Sequence, residues 1–279
     1  MASPLRILYD NATDRATLLS TGVSVLPVLN LKSNSKSEVW RTSATTTSVT
    51  LTATFSSPET ISAAVFPFCN FSPTATMRVR LYSDQACTVQ LLDSGTVQCA
   101  LGSGGRVAGL TAQQSANAYS YGGGATAAVW VTPTSNVQGI KLDVVDSANL
   151  QGYLEAAKLV MGSYFSPDYG VGQGEASVYL DDSTEHYRTD AGNLLSDVGY
   201  RYKKLAISLT FMTPSDRANT WKLVKQVGKS IPIFVSVFTG NTDRSLEQEY
   251  MMFGKFTSLS EIGAINYNVF SVPMEIEAV

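Results

Sequence analysis

The chain has 279 residues, a formal charge of −3, and only 15% charged against 44% hydrophobic residues. That length suits one large β domain or two ordinary ones. No Lys/Arg run supplies the electrostatic footprint of a nucleic-acid binder, and no apolar stretch approaches the roughly 20 residues of a membrane span.

Along the chain, short apolar runs are separated by Ser, Thr, Gly, Asn and Asp. Strands are predicted at 5–9, 23–26, 49–55, 61–66, 77–82, 127–131, 140–145 and 154–163. In the run 77–82 the period of two sets Met77, Val79 and Leu81 on one face and Arg78 and Arg80 on the other. Short strands bounded by turn residues, with no helix between them, indicate an antiparallel sandwich. Residues 102–124 break this rhythm. Glycines bracket a polar segment with Tyr119 and Tyr121, which reads as a surface excursion or a binding loop.

The segment 166–174, with Pro167 and glycines at 170, 172 and 174, predicts a domain boundary near residue 167. The two domains are then 1–166 and 167–279. In the second, Leu205–Phe211 is predicted as a strand with Leu205, Ile207, Leu209 and Phe211 on one face. Thr213-Pro214-Ser215-Asp216 reads as a helix start, with Thr213 as the cap and Asp216 favourable to the free amides. The helix is expected over about 214–227, burying Ala218, Trp221, Val224 and Val227, with Gly228 as the stop. The run 231–238 is apolar on both faces and predicts a strand covered on both sides, one side by the helix. Segments 250–258 and 265–276 complete the sheet. The predicted class is mainly β: a sandwich followed by a β-barrel or sandwich with one flanking helix.

Chemical constellations are sparse. The single histidine, His186, stands in Asp181-Asp182-Ser183-Thr184-Glu185-His186, and nothing else in the chain supplies further metal ligands. The pairs Glu247/Glu249 and Glu275/Glu277 are expected on solvated strand faces. No Gly-x-Ser-x-Gly elbow is present, and Asp190-Ala191-Gly192-Asn193 is a turn signal. The chain is therefore expected to have no catalytic residues, no cofactor and no metal site. Cys69, Cys87 and Cys99 predict buried free thiols in a protein made in a reducing cytosol, although spacing leaves a Cys87–Cys99 bridge open. The opening segment 1–6 lacks the basic and apolar regions of a secretory signal. A surface in which hydroxyls replace charges is easily desolvated, which favours a protein covered by neighbours.

Two stretches carry a resemblance. The run Ile7 to Asn11, Val39-Trp40-Arg41-Thr42, Ile61 to Val65, Cys69-Asn70-Phe71 and Met77 to Tyr82 resembles the discoidin-like jelly-roll sandwiches of tail proteins in long-tailed bacteriophages. The run Arg188 to Gly192, Thr213 to Arg217 and Ile231 to Val235 is similar to the ring-forming β module with one flanking helix shared by tail-tube and distal-tail proteins of that group. In the usual distal-tail arrangement the ring-forming module comes first, whereas here it would come second. The resemblance implies a structural component of the tail tip or baseplate, located in the virion and assembled in the host cytoplasm. It also implies a ring, six-fold by analogy, that contacts the tail tube, hub and fibre proteins and lets DNA pass without specific binding or membrane insertion. The alternative is a receptor- or carbohydrate-binding role for the first domain, with Tyr119, Tyr121 and Trp130 as the aromatic candidates.

Overall fold

A computed structural model of the chain describes residues 4–100, 125–149, 151–172, 175–258 and 261–279. It is mainly β, with antiparallel sheets and two α-helices. Two compact units are formed, one by Pro4–Ser166 together with Ile233–Met251, the other by Pro167–Pro232 with Met252–Val279. The glycine-bracketed segment 102–124, with Tyr119 and Tyr121, lies outside the described residues.

The first unit is an antiparallel β-sandwich organised on two very long strands, Ser48–Cys69 and Ala125–Val145, which pair along most of their length. Each covers two of the predicted strands. Around Ser56-Ser57-Pro58 and Thr132-Pro133-Thr134 the chain stays extended, and the turn-like residues show up as register shifts between Thr54 and Ala63. A proline cannot donate to the ladder, so slippage and bending concentrate there. In the first half of Ser48–Cys69, Val49, Leu51, Ala53 and Phe55 are buried and alternate with part-exposed threonines. In the second half, Ile61 through Phe66 are all buried, so both faces are covered. Thr17–Ser20 pairs with the first half and Val160–Gly162 with the second.

The core gathers Trp40, Leu51, Phe55, Phe66, Phe71 and Met77, all fully buried. Phe66 and Phe71 meet edge to face at 5.4 Å. Met77, Val79 and Leu81 point into it as their alternation predicts. On the outer face, Arg78 pairs with Asp93, and Arg80 reaches Asp143 at 2.6 Å. Asp143 also accepts from Thr50 Oγ1 at 2.7 Å. The Asp93 carboxyl is pulled down to about 2 by its Arg78 hydrogen bond, then by the Gly95 amide. All three cysteines are buried and none forms a disulfide, so Cys87 and Cys99 are not bridged. Burial pushes the Cys99 thiol up to about 12 and raises that of Cys69 further.

The run 231–238 holds a strand buried on both faces, as its apolar pattern predicts, but the strand groups with the first domain's residues and not with the second's. That strand is Ile233–Ser236, which pairs there with Arg6–Leu8 (Ile7 opposite Val235). Arg6–Leu8 pairs on its other side with Tyr164–Phe165.

In the second unit, Arg201–Met212 pairs with Ala176–Asp182 and with Val269–Ala278, and the latter also pairs with Met251–Phe256 and Gly263–Asn266. The predicted strand 265–276 is thus a hairpin, reversed at Tyr267-Asn268 with Asn268 at φ 57°. Leu205, Ile207 and Leu209 are buried as expected, but Phe211 is exposed and Met212 is buried instead. A register shift between Leu209 and Met212 inverts the alternation at that point. Helix α1, Pro214–Val227, has the predicted boundaries and a full capping box between Thr213 and Asp216. Its buried stripe is Asp216, Thr220, Leu223, Val224 and Val227, whereas Ala218 and Trp221 face outward. Two polar residues take core positions because each finds a partner there. The Asp216 carboxylate accepts from the Thr213 and Asp168 amides, and Thr220 Oγ1 lies 3.6 Å from Met212 Sδ. The second helix, α2, spans Arg244–Glu249.

Candidate functional site

His186 lies on a two-stranded hairpin, Glu185–Arg188 with Leu194–Asp197, and Asp190-Ala191-Gly192-Asn193 sits at its turn. Its Nδ1 is 2.8 Å from Ser196 Oγ across the hairpin. The neighbouring acids are occupied by other groups. Asp181 meets Lys204 at 2.7 Å and accepts from Tyr202 Oη, and these bonds lower its carboxyl. Asp182 accepts from the Thr184 amide and pairs with Arg201, and is held at about 2 by Thr184 first and Arg201 after it. Among the described residues no group of three or more His, Cys, Asp or Glu side chains converges on a metal-sized site. Glu247 and Glu249 do not share a strand face. They lie on α2, where Glu247 is buried and accepts from the Gly240 amide at 2.9 Å while Glu249 is exposed. Glu275 and Glu277 do lie on one strand, and Glu275 is hydrogen-bonded by Tyr179 Oη and Thr257 Oγ1, which lowers its carboxyl.

Trp130 is not an open stacking face. The Arg6 guanidinium lies 4.8 Å from its ring and 4.7 Å from that of Tyr164, while Phe234 closes in at 6.2 Å. Burial lowers the Arg6 pKa, opposed by Tyr164 and Glu247.

A half-exposed polar and aromatic cluster sits elsewhere on the sandwich. Arg41 is the register partner of Glu155, and its Nε donates to that carboxylate at 2.5 Å. The guanidinium stacks 4.8 Å over Tyr153. Next to it the Asn70 amide bridges Gln151 Oε1 at 2.6 Å, the Tyr153 carbonyl at 2.9 Å and the Glu155 amide at 2.8 Å. Arg41 and Tyr153 are separated by more than a hundred residues, so no local spacing announces the cluster.

The second unit carries a different kind of surface. The hairpin 185–197 is exposed at every strand position, including Tyr187, Leu194 and Leu195, and Val198 and Tyr200 beside it are exposed as well. Phe211, Trp221, Ile265 and Tyr267 add further large apolar side chains open to solvent. On α1 a shallow depression is lined by Ala218, Trp221, Lys222, Lys225 and Gln226. The sequence signalled the hairpin only through its turn residues.

No protein-family model matches the chain, and no curated protein does. Solved structures do. A GH29 fucosidase of Ruminococcus gnavus in complex with fucose aligns at TM-score 0.38 and 11% identity, covering 56% of this chain and 27% of the fucosidase. Chitosan-binding module 1 from a chitosanase/glucanase of Paenibacillus sp. IK-5 aligns at 0.37 and 8%, covering 55% of this chain and 99% of the module. The module CBM32-3 from a family 31 glycoside hydrolase of Clostridium perfringens aligns at 0.36 and 12%, covering 56% and 99%. The chain thus spans about a quarter of the fucosidase's length. None of these three is a virion protein, so the resemblance to phage tail proteins draws nothing from them. The sandwich architecture rests on the strand pairing above.

Proposed function

We propose that this chain is a structural component of a multi-copy assembly, of the kind found at the tip of a long-tailed phage tail. Its second unit builds the assembly and its first unit faces outward partners. The observation that carries this reading is the open apolar surface of the second unit, where Tyr187, Leu195, Tyr200, Phe211, Trp221 and Tyr267 are all exposed. We read these side chains as contact groups, since apolar surface that a soluble protein leaves open in quantity marks protein contacts. In this reading the protein has no enzymatic activity and binds no cofactor. It forms a ring, six-fold by the resemblance, through which DNA passes unbound, and its neighbours are tail-tube, hub and fibre proteins of the virion. The solution mass of the purified full chain tests this. A defined oligomer supports the reading, and a monomer persisting at high concentration overturns it.

A second reading, carbohydrate recognition by the sandwich, is favoured by the Arg41–Tyr153–Glu155 cluster. A guanidinium stacked on an aromatic ring, beside a carboxylate and amides, offers the fixed polar groups and apolar face that sugar hydroxyls and ring faces require. The glycans to try include chitosan, for which one of the similar solved modules is named. A glycan array on the full chain, repeated with Tyr153→Ala, tests it. Binding lost in the variant supports this reading, and a blank array removes it.

A further inference from the structure

Resting on the assembly reading, we infer that the acidic hairpin of one copy docks on the basic outer face of α1 in a second copy. The register fixes what the hairpin presents. Glu185 lies opposite Asp197, and Tyr187 opposite Leu195. Side chains two apart share a face of a strand, so these four lie together on one side. Two carboxylates directly opposite each other destabilise a strand pair. Among the described residues no cation is within ion-pair reach of either. A two-stranded hairpin is marginal in water without a packed face, and here every strand position is exposed. The hairpin therefore carries an apolar pair to be covered and a double negative charge to be neutralised.

The face that answers both needs is on α1. Ala218, Trp221, Lys222 and Lys225 stand at positions i, i+3, i+4 and i+7, which places them on one outward stripe. Trp221 is 56% exposed. Neither lysine is ion-paired among the described residues. Trp221 lines a shallow depression with Ala218, Lys222, Lys225 and Gln226, so an apolar ring lies beside two ammonium-bearing side chains, as Tyr187 and Leu195 lie beside two carboxylate-bearing ones. In this structure both surfaces of the chain are open, so the contact joins one copy to another. Because the two surfaces differ, the contact is head-to-tail, the type that closes into rings or runs on as filaments.

The test uses charge-swapped full-length chains and sedimentation equilibrium. Variant one carries Glu185→Lys with Asp197→Lys, and variant two carries Lys222→Glu with Lys225→Glu. Each alone is expected to associate at least tenfold more weakly than the parent, since like charges then meet across the contact. Mixed in equal amounts the two restore association, because each now offers the complement of the other's altered surface. Unchanged thermal midpoints confirm that both fold. Should the parent oligomerise while the swaps leave it unaffected, or the mixture fail to recover, this docking is overturned and the assembly reading stands. A monomeric parent removes both.

Discussion

The two units spend their apolar residues differently. In the sandwich, Trp40, Phe55, Phe66 and Phe71 are wholly enclosed, and its outward arginines Arg78 and Arg80 are paired with carboxylates. In the second unit, Trp221, Phe211, Tyr200 and Tyr267 stand in solvent, and Trp221 lines a depression with Lys222 and Lys225, which have no ion pair among the described residues. The second unit has buried aromatics of its own in Phe253 and Phe256, so the contrast lies in which large aromatics are left open, and under the proposed function the open ones are the contact groups. Burial, rather than residue type, separates the roles.

Four substitutions or conditions can break this contrast. Trp40→Ala should have the largest effect. Trp40 is fully buried, and its Nε1 donates to Ser24 Oγ at 3.1 Å. Truncation should cost about 3–5 kcal/mol, read as a large drop in the thermal midpoint, and a near-normal midpoint would remove the sandwich core as drawn here. Gly139→Ala comes next. A Cβ there would lie 2.6 Å from the Asp84 carbonyl oxygen and 2.7 Å from Cys87 Sγ, and relieving the overlap should cost about 1–3 kcal/mol by chemical denaturation.

The third is a pH effect. An unfolded thiol titrates near 8.5, whereas the folded Cys99 thiol is pushed up to about 12 by burial. Between those values the unfolded chain releases a proton that the folded chain keeps. Stability is therefore full below about pH 8.5 and declines as pH rises towards 12. Denaturation curves of Cys99→Ala across that window should show a shallower decline than the parent. Smallest of all is Trp221→Ala. As a surface change it should move the unfolding midpoint by no more than about 0.5 kcal/mol while reducing self-association. A collapse of folding in this variant would place Trp221 in a core and dissolve the contrast.

Much of the sandwich was legible in the sequence because alternation reports a half-buried sheet directly, as in Met77 to Leu81. The cap of α1 was also legible, since Thr213, Pro214 and Asp216 act through local backbone groups. The face of α1 was not. Apolarity alone selects Ala218 and Trp221, whereas the buried stripe contains Asp216 and Thr220, whose partners come from residues 168 and 212–213. Phe211 was misplaced for a related reason, because a bulge leaves no mark in a run of apolar residues. The long strands were read as halves because Pro58 and Pro133 look like turns when the chain is in fact extended through them. The cluster of Arg41, Tyr153 and Glu155 depends on strand pairing across distant segments, which no short window contains.

The strand Arg6–Leu8 lies between Tyr164–Phe165 and Ile233–Ser236. On a ribosome, which emits the chain from its amino end, this early strand gains its first neighbour only after some 160 residues and its second only after some 230. Such distant closures carry a high loop entropy and slow the search. Until they form, Arg6–Leu8 has open edges that invite pairing with other nascent chains. The sandwich thus closes only once Ile233–Ser236 has been made, and a cell producing this protein must protect that edge throughout the interval.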